Sequence, residues 1–560
     1  MDRRKVFYFL NKVFSVVAER VVAAVRAQAI NLIVWGVIAL LIVAVVVANR
    51  STKDAINGKL TSSDPAVRQA EVLSLASSRD LADALTDTED PNSPATSPAN
   101  VRSNAIREQA ATELNTLIST GRLTAGVSMD NLFLLSKDSD SAVKTIATTG
   151  LSIVAGQSDE NLRVLVSRLS DGDPDVRTAA ANALGQIGGS RAAQLTAPLL
   201  SNAAAAADSQ TALGKIGKPA IVYLGPMLAG ATPELRGNIV TTLGTIGDLS
   251  GVPTILSQVD AQPPSPSVHR LAIIALANVI LKSVPERADS AVTGVPAAAP
   301  PPALTPPQQQ LANSTIPIFS STLMNTGEDS FARARSALAL GRLGGPVAIT
   351  TLVASLGDFD SRVARAALTG IQQVGQVAVP ALDAAANSPN LVVRVAAAWA
   401  LGGIGDSTAL AAMHHSLTDS SPEVRQAGAA ALGDSANPAA GLLLVPMLSD
   451  TNGLVASAAS NSLHLLGAPA IPLLVGALNS PNQAAAFYAS SALRQIGNDA
   501  EPAIAAVLTS APESEEVWAA VTLGQIHDPR ARAALATLSA SGSARARWAA
   551  NQALQQLGEA

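Results

Sequence analysis

The stretch "DPDVRTAAANALGQIG", Asp173 to Gly188, reads as a complete helix with its own start and stop. Asp173 is placed to cap it, Pro174 suits the first helical position, and Asp175 meets the positive end of the helix dipole. Val176, Ala180, Ala183, Leu184 and Ile187 fall at the i, i+4, i+7, i+8, i+11 spacing of one buried face. Gly188 can take the left-handed conformation that ends a helix, and the small Ala180 and Ala183 allow a neighbouring helix to approach closely.

The same stretch recurs, as "NLVVRVAAAWALGGIG" ending at Gly405 and "SPEVRQAGAAALGDSA" ending at Ala436. Aligned on the motif, units end at Gly188, Gly217, Gly247, Gly344, Gly375, Gly405, Ala436, Gly467, Gly497, His527 and Gly558, with a step of 29 to 31 residues apart from one interruption. Weaker copies begin at Asp64, near Asn104, at Asp140 and at Ser265. A second, shorter helical segment precedes the motif helix, for example "VAVPALDAAANS" before Asn390 and "AIPLLVGALNS" before Pro481. Two helices in thirty residues cannot bury their apolar faces alone, so the units must stack. The expected fold is all-α, an α-solenoid of about fifteen two-helix repeats.

"DPDVRTAAANALGQIG" preceded by an "AIPLL" or "AVPAL" segment resembles the short HEAT repeat, in particular the HEAT-like type also found in phycobilisome (bilin) lyases and in many bacterial proteins. The resemblance covers roughly residues 60–560 and implies a solenoid. The repeat is shorter than the usual HEAT or armadillo unit, so the curvature of those folds is not carried over.

Composition agrees with close helix packing. Apolar residues make up 48% of the 560-residue chain but aromatics only 3%, so the interior is built from Ala, Leu, Val and Ile. The chain has no cysteine, which excludes a disulfide framework, a thiolate metal cluster and a cysteine nucleophile. Seven of the 38 basic and two of the 43 acidic residues lie in the first fifty positions, so residues 51–560, with 31 and 41, carry a formal net charge of −10. Such a body repels nucleic acid and anionic lipid.

The first fifty residues read as a membrane device. Leu32 to Ala48, "LIVWGVIALLIVAVVVA", is seventeen apolar residues without a break. With its flanks, 30–49, it predicts a single transmembrane helix. A cleaved signal peptide and a buried helix of a soluble domain are the rival readings. Residues 1–29 read as an amphipathic surface helix, with Lys5, Lys12, Glu19 and Arg26 recurring every seven residues. A membrane hairpin is the alternative there. The basic tail favours a cytoplasmic N-terminus and an extracytoplasmic solenoid in the cell membrane.

Two interruptions divide the repeats. Residues 283–315 are rich in Pro and Ala and predict a linker between solenoid halves 60–282 and 316–560, with a polyproline ligand as the alternative. Residues 86–100 predict an acidic loop insertion.

Nine units carry Lys or Arg at one motif position: Arg68, Arg107, Lys144, Arg177, Arg236, Arg333, Arg394, Arg425 and Arg547. A cation one turn inside a helix N-terminus opposes the dipole and calls for compensation. The structural expectation is an ion-pair ladder reaching the Asp or carbonyl of an inter-helix turn. The functional one is a basic strip for an acidic partner, best represented by Arg333, Arg335, Arg362 and Arg365. No His pair stands at i, i+4 among His269, His414, His415, His464 and His527, and neither a phosphate loop nor a nucleophile elbow occurs. No catalytic, cofactor or metal site is expected. The sequence points to a membrane-tethered scaffold for protein partners, without nucleic acid; a bilin-lyase-like enzyme or enzyme subunit is the alternative, carried by the repeat resemblance alone.

Overall fold

The motif stretches form helices that begin and end where their capping residues stand. The computed structural model describes Lys59, Ser63 and residues 65–77, 98–122, 131–133, 135–154, 158–261, 265–285, 303–435, 437–508 and 511–558. Every regular element among these residues is helical. The membrane segment 30–49, the amphipathic segment 1–29 and most of the 86–100 insertion lie outside the described residues. Among the described residues no single helix is long and apolar enough to cross a membrane.

Two compact units divide the chain, Met1–Ile187 and Gly188–Ala560. In the first, the Pro174–Ile187 helix starts at Asp173, whose carboxylate accepts the Asp175 N–H at 2.7 Å. It packs on Ser141–Ile153 and on the shorter Asp159–Arg168 helix. Val176, Ala180, Ala183 and Leu184 are buried as their spacing predicts. Ile187 is only half-buried, whereas Ala179 and Ala181 are buried. The helix is sandwiched between neighbours and hides two faces, and alanine is small enough to do so on both.

The second unit repeats this arrangement through Pro233–Ile246, Pro266–Ser283, Ser330–Leu343, Ser361–Val374, Leu391–Ile404, Pro422–Asp434, Gly453–Leu466, Gln483–Ile496, Glu513–Ile526 and Ala544–Gly558. Each of these motif helices packs on the next. Many of the preceding short segments open with a 3-10 turn or a Pro at the first or second helical position, as in Ala468–Ala470 followed by Ile471–Ala477, whereas Ser407–Leu417 is capped by Asp406. Aliphatic residues such as Leu474, Leu463 and Leu493 fill the space between the two layers with no exposed surface.

Part of the predicted linker is ordered. Pro306–Asn313 is a helix because Thr305 caps it and Gln308 reaches back to the Thr305 N–H at 2.9 Å, with Pro at the helix start. Pro266–Ser283 packs directly on Ser330–Leu343: Arg342 Nη1 donates to the Val284 carbonyl at 3.3 Å and Arg335 donates to Asn278. The helical segment near Asn104 likewise begins earlier than its motif, at Pro98, inside the expected loop.

The closest helix contacts are made by a glycine of the motif. A Cβ at Gly341 would lie 2.4 Å from the Gly370 Cα, and one at Gly402 would lie 2.7 Å from the Ala431 carbonyl carbon. Backbone meets backbone there, so no side chain fits without a shift.

Candidate functional site

Five inter-helix turns are built around a carboxylate, while at two others the hydroxyls of Ser388 and Ser480 take its place. In the first unit, Asp138 and Asp171 accept the N–H of the residue two positions on, at 2.8 and 3.1 Å. In the second unit, Asp358, Asp419 and Asp450 do the same at 3.0, 2.8 and 2.8 Å. The cation of the preceding motif helix then reaches the same carboxylate. Arg107 meets Asp138 at 2.9 Å and Lys144 meets Asp171 at 3.2 Å. Arg394 meets Asp419 at 2.8 Å and Arg425 meets Asp450 at 2.7 Å, and Arg333 closes on Asp358. Arg394 and Arg425 also tie down their own turns, donating from Nη1 to the carbonyls of Ser388 and Asp419 at 3.0 and 2.8 Å.

The electrostatics of the turns follow from these contacts. The Arg425 guanidinium holds the Asp450 carboxyl below its ordinary range, against the opposing effect of burial, with the Asn452 N–H adding to it. At Asp419 burial works upward, but Arg394 and the Ser421 N–H outweigh it and the net direction is down. Asp171 follows the same balance, burial being outweighed by the Asp173 N–H and by Lys144. The Arg425 guanidinium is itself raised, first by its bond to Asp450.

Other motif cations take different partners. Arg68 pairs with Glu113 at 2.9 Å, Arg177 donates to the Asp171 carbonyl at 2.9 Å, and Arg236 donates to the Gln258 amide oxygen at 2.8 Å. Arg547 is exposed on the last described helix. The four residues singled out as a basic strip do not form one patch. Arg333 is 1% exposed within its pair with Asp358, and Arg335 is half-buried against Asn278. Arg362 and Arg365 are both exposed, Arg362 held by Ser330 at 2.6 Å and by Asp360.

A cleft of about 410 Å³ opens elsewhere, between Gln483–Ile496 and Glu513–Ile526, with the end of Ala544–Gly558 at its rim. Its cause is legible in the motif. At the position of Gly402, Gly433 and Gly524 the Gln483–Ile496 helix carries Arg494, which is too large for the backbone contact those glycines make; Gln372 and His464 stand at the same position in Ser361–Val374 and Gly453–Leu466. That helix accordingly packs less closely on Glu513–Ile526 than Glu513–Ile526 packs on Ala544–Gly558.

Phe487 and Trp518 form one wall, their ring centroids 6.5 Å apart and edge to face, with Tyr488 a further 5.5 Å from Phe487. At the base Ser490 shares a 2.7 Å hydrogen bond with Thr522, whose hydroxyl donates to the Trp518 carbonyl at 2.7 Å. Ser491, Arg494, Gln525, His527 and Gln556 complete the lining, and no carboxylate is among it. No hydrogen bond or ion pair engages the Arg494 guanidinium among the described residues. Phe487 is 56% exposed and Trp548, one helix further on, 64%.

His527 stands where other repeats end in glycine. It is the only non-glycine residue with positive φ among the described residues, at φ 60° and ψ 30°. Gly344, Gly375, Gly467 and Gly497 combine positive φ with ψ between −135° and −160°, a region only glycine adopts readily. Gly247 and Gly405 instead share the left-handed helical conformation of His527, which a side chain tolerates at a cost of roughly 1–2 kcal/mol. Its Nδ1 lies 3.0 Å from the Gln525 carbonyl oxygen. Sequence reading registered His527 as a repeat end and a lone histidine. The signals for the cleft were the exchange of glycine for Arg494 and the two aromatic residues beside it.

Within each unit the helices stack in the manner of an α-solenoid. Residues 130–213 and 378–464 match the model described as HEAT repeats, and residues 332–358 the one described as PBS lyase HEAT-like repeat. No curated protein matches the chain. Among solved structures, the chain is 12% identical to Kap121p, covering 85% of this chain and 56% of that one with a TM-score of 0.42. It is 12% identical to a chain of the Kap95:Nup1 complex, covering 91% and 77% with a TM-score of 0.42. It is 23% identical to human deoxyhypusine hydroxylase, covering 49% and 96% with a TM-score of 0.21. The match spans little more than half of the Kap121p chain.

Proposed function

We propose that this protein is a non-enzymatic scaffold whose solenoid binds protein partners, held at the cell membrane by Leu32–Ala48 with its N-terminus in the cytoplasm. The observation that carries the partner-binding reading is the aromatic surface of the last three motif helices. Phe487 and Trp548 are more than half exposed in a chain with 3% aromatic residues. Large exposed apolar groups beside a cleft mark protein-interaction surfaces. The arginine ladder is an internal device, since its charges are spent on the turns. The membrane reading rests on the unbroken apolar run alone, and the net charge of −10 over residues 51–560 speaks against nucleic acid. The segment 332–358 that matches a PBS lyase HEAT-like repeat places its Arg333 and Asp358 in the ladder, which favours a structural use of that repeat.

The test is capture from detergent-solubilised membranes with the full chain. Wild type should retain a reproducible set of proteins, and a Phe487→Ser/Trp548→Ser variant with unchanged melting should lose them. Alkaline carbonate extraction tests the tether: the intact chain should stay in the membrane fraction.

A further inference from the structure

We infer that the cleft between Gln483–Ile496 and Glu513–Ile526 is a binding site for an acidic peptide segment, with a carboxylate at Arg494 and an aromatic side chain against Phe487 and Trp518. It rests on the scaffold reading only in that the ligand belongs to a protein.

Three independent features converge on this site. Arg494 replaces the glycine that would close the helix contact, and it faces a cleft without carboxylates. Arg494 is exposed, and among the described residues no hydrogen bond or ion pair engages its guanidinium, so its donors are open to a ligand. His527 occupies a backbone conformation that glycine would adopt at lower cost, and its side chain lines the same cleft. Strain retained at a concave site is a mark of function. Finally, Phe487 and Trp518, in edge-to-face contact, both line the cleft of about 410 Å³ and present aromatic surface to it.

Charge selects the ligand. A guanidinium with open donors in a partly enclosed site pairs with a carboxylate, and the amides of Gln525 and Gln556 suit a peptide backbone. A nucleic acid strand also offers rings and anions. It brings one charge per nucleotide, however, and would meet one arginine on a body of net charge −10.

The experiment uses the full chain in detergent micelles and a fluorescein-labelled, end-blocked peptide, Gly-Gly-Glu-Phe-Glu-Gly-Gly, followed by fluorescence anisotropy. Saturable binding is expected, at least tenfold weaker for the peptide with Lys in place of both Glu and for the one with Ala in place of Phe. Arg494→Gln should weaken binding about tenfold without lowering the melting temperature. His527→Gly should weaken it while raising the melting temperature. The inference is overturned if the acidic peptide shows no saturable binding or the Lys peptide binds equally well. It is also overturned if a labelled oligothymidylate binds more tightly, or if Arg494→Gln binds like wild type. Partner capture that persists in Arg494→Gln while the peptide fails to bind would refute this site and leave the scaffold reading standing. Peptide binding without any partner capture would do the reverse.

Discussion

Arg425 joins two consecutive turns: its Nε lies 2.7 Å from Asp450 Oδ2, and its Nη1 lies 2.8 Å from the Asp419 carbonyl oxygen. Asp419 in turn receives Arg394 from the helix before, at 2.8 Å. Where a turn carries the carboxylate and the preceding helix the guanidinium, as at Asp419 and Asp450, the pair ties one repeat to the next. The cation that opposes its own helix dipole is compensated by the next turn.

Arg425→Ala should destabilise the protein by about 1.5–3 kcal/mol, because it strips charged hydrogen bonds from a pair that is 15% and 8% exposed. Arg107→Ala should cost more, about 3–5 kcal/mol, since Arg107 and Asp138 are 1% and 4% exposed and the carboxylate is left buried and alone. Urea unfolding of the two variants checks the order.

Acid should loosen the turns. The carboxyls of Asp171, Asp419 and Asp450 are held below their ordinary range in the folded state, so they stabilise it fully above the unfolded pKa of about 4. That contribution disappears as pH falls through the folded pKa values below this. Melting temperature should be level from pH 7 to about pH 5 and decline below about pH 4, with a smaller decline in Asp450→Asn. An acid-insensitive melting temperature in wild type would count against the ladder.

Gly341→Ala should cost about 1–3 kcal/mol although alanine is the better helix former, because its Cβ would fall 2.4 Å from the Gly370 Cα. Gly476→Ala, where no atom lies within 4 Å of the added Cβ, is the control and should be neutral or stabilising. Thermal melting separates them.

Leu184→Ala should cost about 2–5 kcal/mol through the cavity it leaves at a fully buried position. Arg177, which holds turn carbonyls, should cost less when changed to Ala.

Much of the fold was legible in the residues. The i, i+4, i+7, i+8 spacing of Val176, Ala180, Ala183 and Leu184 placed the buried face, and Asp173 with Pro174 placed the helix start. Ile187 was misplaced because a simple stripe assumes one neighbour, and this helix has neighbours on two faces. The helix at Pro306 was missed because proline density was read as linker, although Thr305, Pro306 and Gln308 together spell a helix start. The cleft was less legible, since it arises from an exception to the repeat. Only when Gly402, Gly433 and Gly524 are seen touching neighbouring helices does a larger residue at that position, Arg494 as well as Gln372 and His464, signify a looser contact. The basic strip was misleading for a related reason: Arg333 and Arg365 look alike in sequence, yet one is buried in the ladder and the other exposed.

The central claim is that the repeats hold the structure together while the aromatic surface at Phe487 and Trp548 holds partners. It is tested most directly by measuring melting temperature and partner capture on the same two variants of the full chain, Arg425→Ala and Phe487→Ser/Trp548→Ser. The expected result is that Arg425→Ala melts lower and still captures partners, whereas the aromatic variant melts like wild type and captures none. Loss of capture in Arg425→Ala at unchanged melting temperature, with full capture by the aromatic variant, would contradict it.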